Sequence, residues 1–302
     1  LFLFLTGWAS GTYRDTAEFA ASVFADPSIV WVPARVIFAV IGTSVVLLTY
    51  LVARRLVGTG AALVAAALVA VNALHVAWSQ IIRTDIPSSL FMLITVLLAL
   101  RYLQQQQERR RDLIVAGLCV GFGMATKWPA GAALLAPLLA VLARTSLTTR
   151  KRAANGFILL FGTLVGVAIA SPFIILDFPA VLRDINGEVV GGHLGQSSLG
   201  PLGNARYYAG LFATSSGWPA AFLLAIGLLA TARNREAMLT LVPVTLFLTL
   251  VLLLQPQIWA RWLSTLVPFL AILVAAGAKW LWELNPADKI VQQRVSAAIL
   301  SA

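Results

Sequence analysis

Long apolar runs alternate with short polar links along most of the chain. An α-helix needs about 20 residues to cross a bilayer, and nine apolar runs are candidates for such crossings, two of them short. They lie at 32–51, 60–77, 87–103, 113–126, 129–142, 155–176, 218–232, 237–254 and 262–282. This pattern predicts an all-α polytopic membrane protein with about nine crossings, two of them the short arms of a hairpin, and partial elements at both ends.

Composition also indicates a lipid environment. The 302 residues are 60% hydrophobic and 11% charged, whereas soluble domains carry about 25% charged residues. The formal net charge of +10 would suggest nucleic acid as a partner in a soluble protein. Here the cations lie in short loops between apolar runs, where the positive-inside bias explains them. Membrane lipid is therefore an expected partner, and nucleic acid is not.

The two short runs at 113–126 and 129–142 decide the predicted topology. Basic clusters flank them, at 109–111 before the first and at 150–152 after the second. A single crossing would put one cluster on each side of the membrane, whereas a hairpin that turns at Lys127 keeps both on one side. With the hairpin, thirteen of the Lys and Arg residues between 32 and 282 lie on one side and six on the other. The first side is predicted to be cytoplasmic, in a bacterial plasma membrane.

The two ends of the sequence indicate a fragment. The chain starts at Leu1 with an apolar stretch too short to cross a bilayer, and a further apolar run begins at Val291 and stops at Ala302. We expect one transmembrane domain over 1–302 that is truncated at both ends.

One long hydrophilic loop, at 177–217, is expected on the outer side. Apolar residues recur at helical spacing over 178–190, which predicts an interfacial helix. The stretch 191–203 is rich in Gly and Ser and contains His193. Such a loop suits a lid or an acceptor-binding element over an outer pocket. A plain solvated connection is the alternative. The chain is expected to return to the interface at Tyr207, Tyr208, Leu211 and Phe212.

The polar link at 79–87 holds the first candidate residues, Arg83 and Asp85. Asp85 precedes Ile86-Pro87, so one interpretation is a helix N-cap. The other is a carboxylate aimed at a reacting hydroxyl or a metal ion. On a helix, Arg83 would not share a face with Asp85. An irregular link would allow both side chains to point into one pocket.

Cations at the outer ends of the spans form the second candidate group. Arg35 starts one span, Lys127 lies at the hairpin tip, and Arg261 starts the last span. Each alone is explained by contact with lipid headgroups. Together with Arg83 they would form a cradle for a phosphate, because Arg and Lys neutralise an anionic leaving group.

Several motifs are missing from the sequence. It contains no P-loop, no dinucleotide-binding fingerprint and no His/Cys cluster with metal-ligand spacing. No cofactor is expected, and use of a divalent metal stays open. A transporter or flippase for lipid-linked sugars would need ionisable groups along a path through the bilayer, and the spans hold almost none.

A set of short stretches resembles a known family. They are 32–36 with Gly42, 79–87, 121–127, 171–177, 192–195, and Arg261-Trp262 with Pro268. Their order and spacing resemble the dolichyl-phosphate-mannose–protein mannosyltransferase-like glycosyltransferases. This C-fold group includes the aminoarabinose transferases of lipid A.

The resemblance implies an inverting transfer of a sugar from a polyprenyl-phosphate-linked donor to a protein, lipid or glycan acceptor on the outer face. Asp85 matches a second acid of such enzymes, and their main base is expected upstream of Leu1. Arg35, Lys127 and Arg261 fall where the family binds the donor phosphate. The usual Arg-Tyr pair is Arg261-Trp262 here. A glycan ligase or polymerase that uses a polyprenyl carrier is the other enzyme class left open.

Overall fold

The computed structural model describes residues 2–105, 107–190 and 196–284. Within them, fifteen α-helices, one 3₁₀ helix and two short strands follow one another. The helices are α1 (Phe2–Ala9), α2 (Thr16–Ala25), α3 (Ser28–Val57), α4 (Thr59–Val71), α5 (Ala73–Ser79), α6 (Asp85–Gln104), α7 (Arg110–Thr126), α8 (Leu135–Ala143), α9 (Thr149–Ala170), α10 (Phe173–Leu176), α11 (Phe178–Val190), α12 (Gly200–Ser216), α13 (Trp218–Thr231), α14 (Arg235–Leu254) and α15 (Ala260–Leu284). The 3₁₀ helix is Trp128–Leu134, and the strands are β1 (Gln196–Ser197) and β2 (Gln257–Ile258).

The helices confirm the predicted polytopic all-α fold. Five of them, α3, α6, α9, α14 and α15, are long and apolar enough to cross a membrane by themselves. Two bent pairs, α4 with α5 at 59° and α12 with α13 at 118°, raise the count to seven if each pair is one span. Each of the nine predicted runs contains a helix, and the predicted hairpin arms are the shorter helices α7 and α8. The chain is an integral membrane protein.

Contacts with α6 confirm the hairpin. At the C-terminal end of α6, Asp112 at the start of α7 lies 3.8 Å from the guanidinium of Arg101. Arg144, directly after α8, donates to the carbonyl of Tyr102 at 3.1 Å, at the same end of α6. Lys127, between the two arms, pairs with the first residue of α6. Because the arms begin and end at one end of α6 and turn at the other, the chain reverses at Lys127 as predicted.

The last long helix, α15, forms the centre of the bundle. Its residues from Leu263 to Gly277 are all buried, and it packs against α3, α4, α6, α13 and α14. A helix that is apolar all round is stable only when other helices surround it. By contrast, α9 leaves Phe157, Phe161 and Leu164 exposed, as expected for side chains that face lipid.

Glycines allow two helix pairs to approach at backbone distance. On α7 and α9, Gly121 lies so close to Thr163 that a Cβ atom would overlap its carbonyl oxygen. On α13 and α15, a Cβ atom on Gly227 would overlap the carbonyl oxygen of Leu273. Small residues at helix interfaces are a common means of close packing in membranes, where lipid provides no hydrophobic driving force between helices.

Polar contacts join several helix ends at what we call the basic end of the bundle. The Arg55 guanidinium donates to the Gln104 side chain at 2.7 Å, and Gln104 donates to Glu236 at 2.6 Å. The Asn234 side chain donates to the carbonyl of Leu56 at 3.1 Å. With Arg101 and Arg144, these residues define the basic end. We call the opposite end, where α6 begins, the Asp85 end.

Two features differ from the sequence predictions. The predicted run at 60–77 is broken at Asn72, whose side chain caps α5 by accepting the His75 backbone N–H at 2.9 Å. The predicted loop at 177–217 contains α11 over the expected residues, but it continues into the long helix α12. Tyr208 and Phe212 of α12 are buried in the core, and Tyr207 and Leu211 are partly buried.

Candidate functional site

Asp85 is the first residue of α6 and is 2% exposed. Residues 80–84 before it form a non-helical link. Thr84 takes the N-cap position without a side-chain capping bond, and the Asp85 carboxylate instead accepts a hydrogen bond from the Lys127 ammonium. The N-cap interpretation is therefore wrong. The hairpin tip supplies a cation, and this partner satisfies a carboxylate in a site where burial without one is costly.

Helix and backbone geometry position Lys127. It follows the last turn of α7, its N–H donates to the carbonyl of Gly123 at 2.8 Å, and its extended backbone starts the 3₁₀ helix. The ammonium lies 5.9 Å from the centre of the Trp262 ring, within the range of a cation–π interaction. Its side chain is 20% exposed. A partly buried ammonium is thus held between a carboxylate and an aromatic face.

Arg261 directly precedes Trp262, the residue whose ring faces the Lys127 ammonium. The Arg261 guanidinium is 4.5 Å from the centre of the Trp259 ring. The backbone N–H of Trp259 donates to the Tyr208 hydroxyl at 3.3 Å. Tyr208 of α12 thereby fixes the segment that carries Trp259 and Arg261 into α15.

A small β-ladder also holds that segment. Gln196 and Ser197 pair antiparallel with Ile258 and Gln257. The buried Asn204 side chain supports the ladder by donating to the carbonyls of Leu253 and Gln255, at 3.0 and 3.2 Å. His193, predicted as an acceptor or lid residue, lies outside the described residues.

The two other predicted phosphate-binding residues lie at the same end without joining the cluster. Arg83 is on the exposed link before Asp85. The position of Arg35 follows from α3. The Gly42 carbonyl of α3 contacts His75, which lies close to the link before Asp85, and Arg35 lies about 10 Å before Gly42 along the helix axis. Both arginines are exposed, and neither forms an ion pair or hydrogen bond with a residue that the structure describes. Asp85 is buried and Arg83 is exposed, and no bond joins their side chains.

Sequence reasoning did not single out His75 as part of this end. It is 3% exposed, and its Nε2 donates to the Gly42 carbonyl at 3.1 Å. Its Nδ1 is buried without a hydrogen-bond partner among the described residues. Its backbone carbonyl accepts from Ser79 at 2.6 Å. A lone histidine in an apolar run carries no pattern that would have indicated this position.

The Asp85 cluster carries more positive than negative charge. Two cations, Lys127 and Arg261, and one carboxylate, Asp85, leave one positive charge unbalanced in surroundings of low dielectric constant. Two tryptophan rings lie beside the cations. Such a site favours a singly charged anion attached to an apolar group. Among the described residues, no three His, Cys, Asp or Glu side chains are grouped so that they could hold a metal ion.

Comparison with protein families supports the resemblance drawn from the sequence. The family model described as dolichyl-phosphate-mannose-protein mannosyltransferase matches residues 17–176, more than half of the chain. The chain belongs to this family. The match includes Arg35, Arg83, Asp85 and Lys127, and it ends before Arg261. No curated protein matches the chain.

Solved structures confirm the fold of this family member. The crystal structure of ArnT from Cupriavidus metallidurans in the apo state matches with a TM-score of 0.62 at 18% identity, over 88% of this chain and 48% of that one. The same protein bound to undecaprenyl phosphate matches with a TM-score of 0.57 at 20% identity, over 88% and 49%. The chain thus has the C-fold architecture predicted from the resemblance, and it spans about half the length of these structures.

Proposed function

We propose that this chain is the carrier-binding part of a membrane glycosyltransferase. It would move a sugar from a polyprenyl-phosphate-linked donor to an acceptor on the outer face, with inversion. The observation that carries the proposal is the bond between Lys127 and Asp85 at one end of an apolar bundle, with the Lys127 ammonium over the ring of Trp262, the residue that follows Arg261. A polyprenyl carrier keeps its tail in lipid and its phosphate at the interface, so its phosphate must be bound at the ends of the spans.

The family and the fold support this function. The family model is named for a transferase that uses dolichyl-phosphate-mannose, and one structural neighbour is described as bound to undecaprenyl phosphate. The excess of cations at the opposite end of the bundle favours the basic end as cytoplasmic and the Asp85 end as outer. The sugar is left open, and protein, lipid and glycan acceptors remain alternatives.

In this proposal the cations act on the leaving group. The acceptor hydroxyl loses its proton to a carboxylate base and attacks the anomeric carbon. As it does so, the bond from that carbon to the phosphate oxygen breaks, and the phosphate takes the bonding electrons. Lys127 and Arg261 stabilise the negative charge that develops on it. Arg35 and Arg83 are exposed, and we propose that their side chains contact the phosphate of the bound donor. His193 remains a proposed acceptor or lid residue.

Asp85 has two proposed roles that differ in what they affect. Its carboxylate is buried and bonded to Lys127, which favours a positioning residue that keeps the ammonium charged and aimed. The family resemblance instead assigns it a catalytic acid or base role, with the main base upstream. A positioning role predicts that Asp85→Asn weakens carrier binding. A catalytic role predicts a lower kcat with carrier binding unchanged.

Undecaprenyl phosphate binding to the detergent-solubilised protein tests the site directly. We expect Lys127→Met to weaken binding by at least tenfold, because a charge-assisted hydrogen bond to the phosphate is lost. Arg150→Gln serves as the matched control, because Arg150 is an exposed cation at the opposite end of the bundle. This variant should bind undecaprenyl phosphate as the wild type does. Equal binding by Lys127→Met would refute the assignment of the site.

Release of free polyprenyl phosphate in liposomes tests the reaction. A glycosyltransferase, ligase or polymerase releases the carrier as the sugar is transferred, whereas a flippase moves the intact lipid-linked sugar across the bilayer. We expect release that depends on Lys127. Passage of the lipid-linked sugar across the bilayer without release would contradict the proposed function.

A further inference from the structure

A cleft opens at the basic end, remote from the Asp85 cluster. It lies between the ends of α3, α13, α14 and α15 and has a volume of about 140 Å³. Its floor is apolar and includes Leu56, Leu241 and Ile272. Lys279 and Trp280, on the last turns of α15, lie at its mouth. The cleft thus has an apolar interior and a cationic, aromatic edge, as an amphiphile requires.

The charges around the cleft are mainly positive. The charged residues that line the cleft are Lys279 and Glu283. In the chain, Arg54 and Arg55 precede the lining residue Leu56, and Arg233 and Arg235 lie on either side of the lining residue Asn234. Counting the lining residues and these neighbours in the chain, five cations, with Lys279, stand against two carboxylates, those of Glu236 and Glu283. This imbalance favours an anionic occupant.

The cation at the mouth is available to a ligand. Lys279 lies 3.6 Å from Glu283, and the two side chains are 42% and 55% exposed. Exposed ion pairs of this kind are weak, so a phosphate competes with Glu283 for the ammonium. Trp280 is only partly buried, and tryptophan favours the headgroup level of a bilayer.

We propose that this cleft binds one anionic phospholipid. Its phosphate contacts Lys279 and lies near Arg233, and part of one acyl chain occupies the apolar floor between Leu56 and Ile272. Basic pockets between transmembrane helices are a recurring way to bind acidic lipid headgroups. The site is separate from the proposed carrier site, because the two lie at opposite ends of the bundle.

Phosphatidylglycerol binding to the purified chain in detergent tests this proposal, measured by thermal shift and by native mass spectrometry. We expect phosphatidylglycerol to raise Tm and to remain bound, and phosphatidylcholine to have a much smaller effect. Lys279→Gln should weaken phosphatidylglycerol binding about fivefold, since each cation near an anionic headgroup contributes about that factor. Glu283→Gln, which removes the competing carboxylate, should strengthen it.

Two further variants separate the cleft from general surface charge. Arg150→Gln removes an exposed cation of the same end outside the cleft and should leave binding unchanged. Ala276→Trp fills the cleft, whose lining includes Ala276, and should abolish binding. If that variant does not fold, the exposed Lys279→Gln and Glu283→Gln still decide. Equal responses to both lipids, or unchanged affinity in Lys279→Gln, would overturn the proposal.

Discussion

The Asp85–Lys127 pair makes an asymmetric prediction for stability. The Asp85 side chain is 3% exposed and that of Lys127 is 20% exposed. Lys127→Met removes the cation and leaves the carboxylate buried without its partner. Asp85→Asn removes the anion. The Lys127 ammonium that remains still lies 5.9 Å from the centre of the Trp262 ring and is partly accessible to water. The first change should therefore destabilise the protein more than the second.

The expected magnitudes follow from these exposures. Removing one partner of a buried pair costs about 3–5 kcal/mol, because the remaining charge is uncompensated. We expect Lys127→Met to fall in that range. Asp85→Asn should cost about 1–3 kcal/mol, the usual cost of a buried polar group with a poor partner. The double variant should be less destabilised than Lys127→Met alone, because replacing both charges removes the unpaired carboxylate.

Unfolding of the four proteins in mixed micelles, analysed as a double-mutant cycle, measures the coupling energy. The exposed pair Lys279 and Glu283 provides the control, with an ion-pair distance of 3.6 Å. As an exposed i,i+4 pair it should couple by no more than about 0.5 kcal/mol. A coupling energy for Asp85 and Lys127 as small as this, or a larger loss for Asp85→Asn than for Lys127→Met, would refute the reasoning.

Two other predictions concern packing and loop anchoring. Gly227→Ala should lower the free energy of unfolding by at least about 2 kcal/mol, because the new Cβ overlaps the Leu273 carbonyl. Its control, Gly156→Ala, has nothing within 4 Å of the Cβ position and should raise the free energy of unfolding by about 0.5–1 kcal/mol. Thermal unfolding compares the two variants, and equal effects would contradict the close helix contact. Asn204→Ala should lower the free energy of unfolding by about 2–3 kcal/mol and speed amide hydrogen exchange in β2. Its control, Asn186→Ala at an exposed position, should change the free energy of unfolding by less than about 0.5 kcal/mol. Unchanged exchange in β2 would contradict the anchoring role of Asn204.

The sequence was sufficient for the helices and for the hairpin. Apolar runs of sufficient length have few alternatives to helices in lipid, because every backbone polar group must be satisfied within the segment. The basic clusters on both sides of Lys127 then required a reversal. What it did not indicate was the bend at Asn72. Asn72 is a single polar residue in an apolar run, and its side chain caps α5 by a local hydrogen bond that competes with the helix.

The site was predicted only in part, since topology places residues at an end of the bundle but does not orient their side chains. Asp85, Lys127, Arg35 and Arg83 were all expected at one end, and contacts along α3 and α6 put them there. Which of them are buried depends on how each helix is rotated about its axis. That rotation follows from packing against α15, which short sequence patterns do not specify. Burial therefore distinguishes Asp85 and Lys127 from the exposed Arg35 and Arg83.

This division of the cations has a consequence for the proposed reaction. Asp85, Lys127 and Arg261 together leave one positive charge, which matches the single charge of a sugar phosphodiester. When the bond to the sugar breaks, the phosphate becomes a monoester and gains a second charge. A site that binds the second charge better than the first accelerates the reaction, because only interactions that strengthen in the transition state lower the barrier. In the proposed reaction, the exposed Arg35 and Arg83 are candidates to supply that difference.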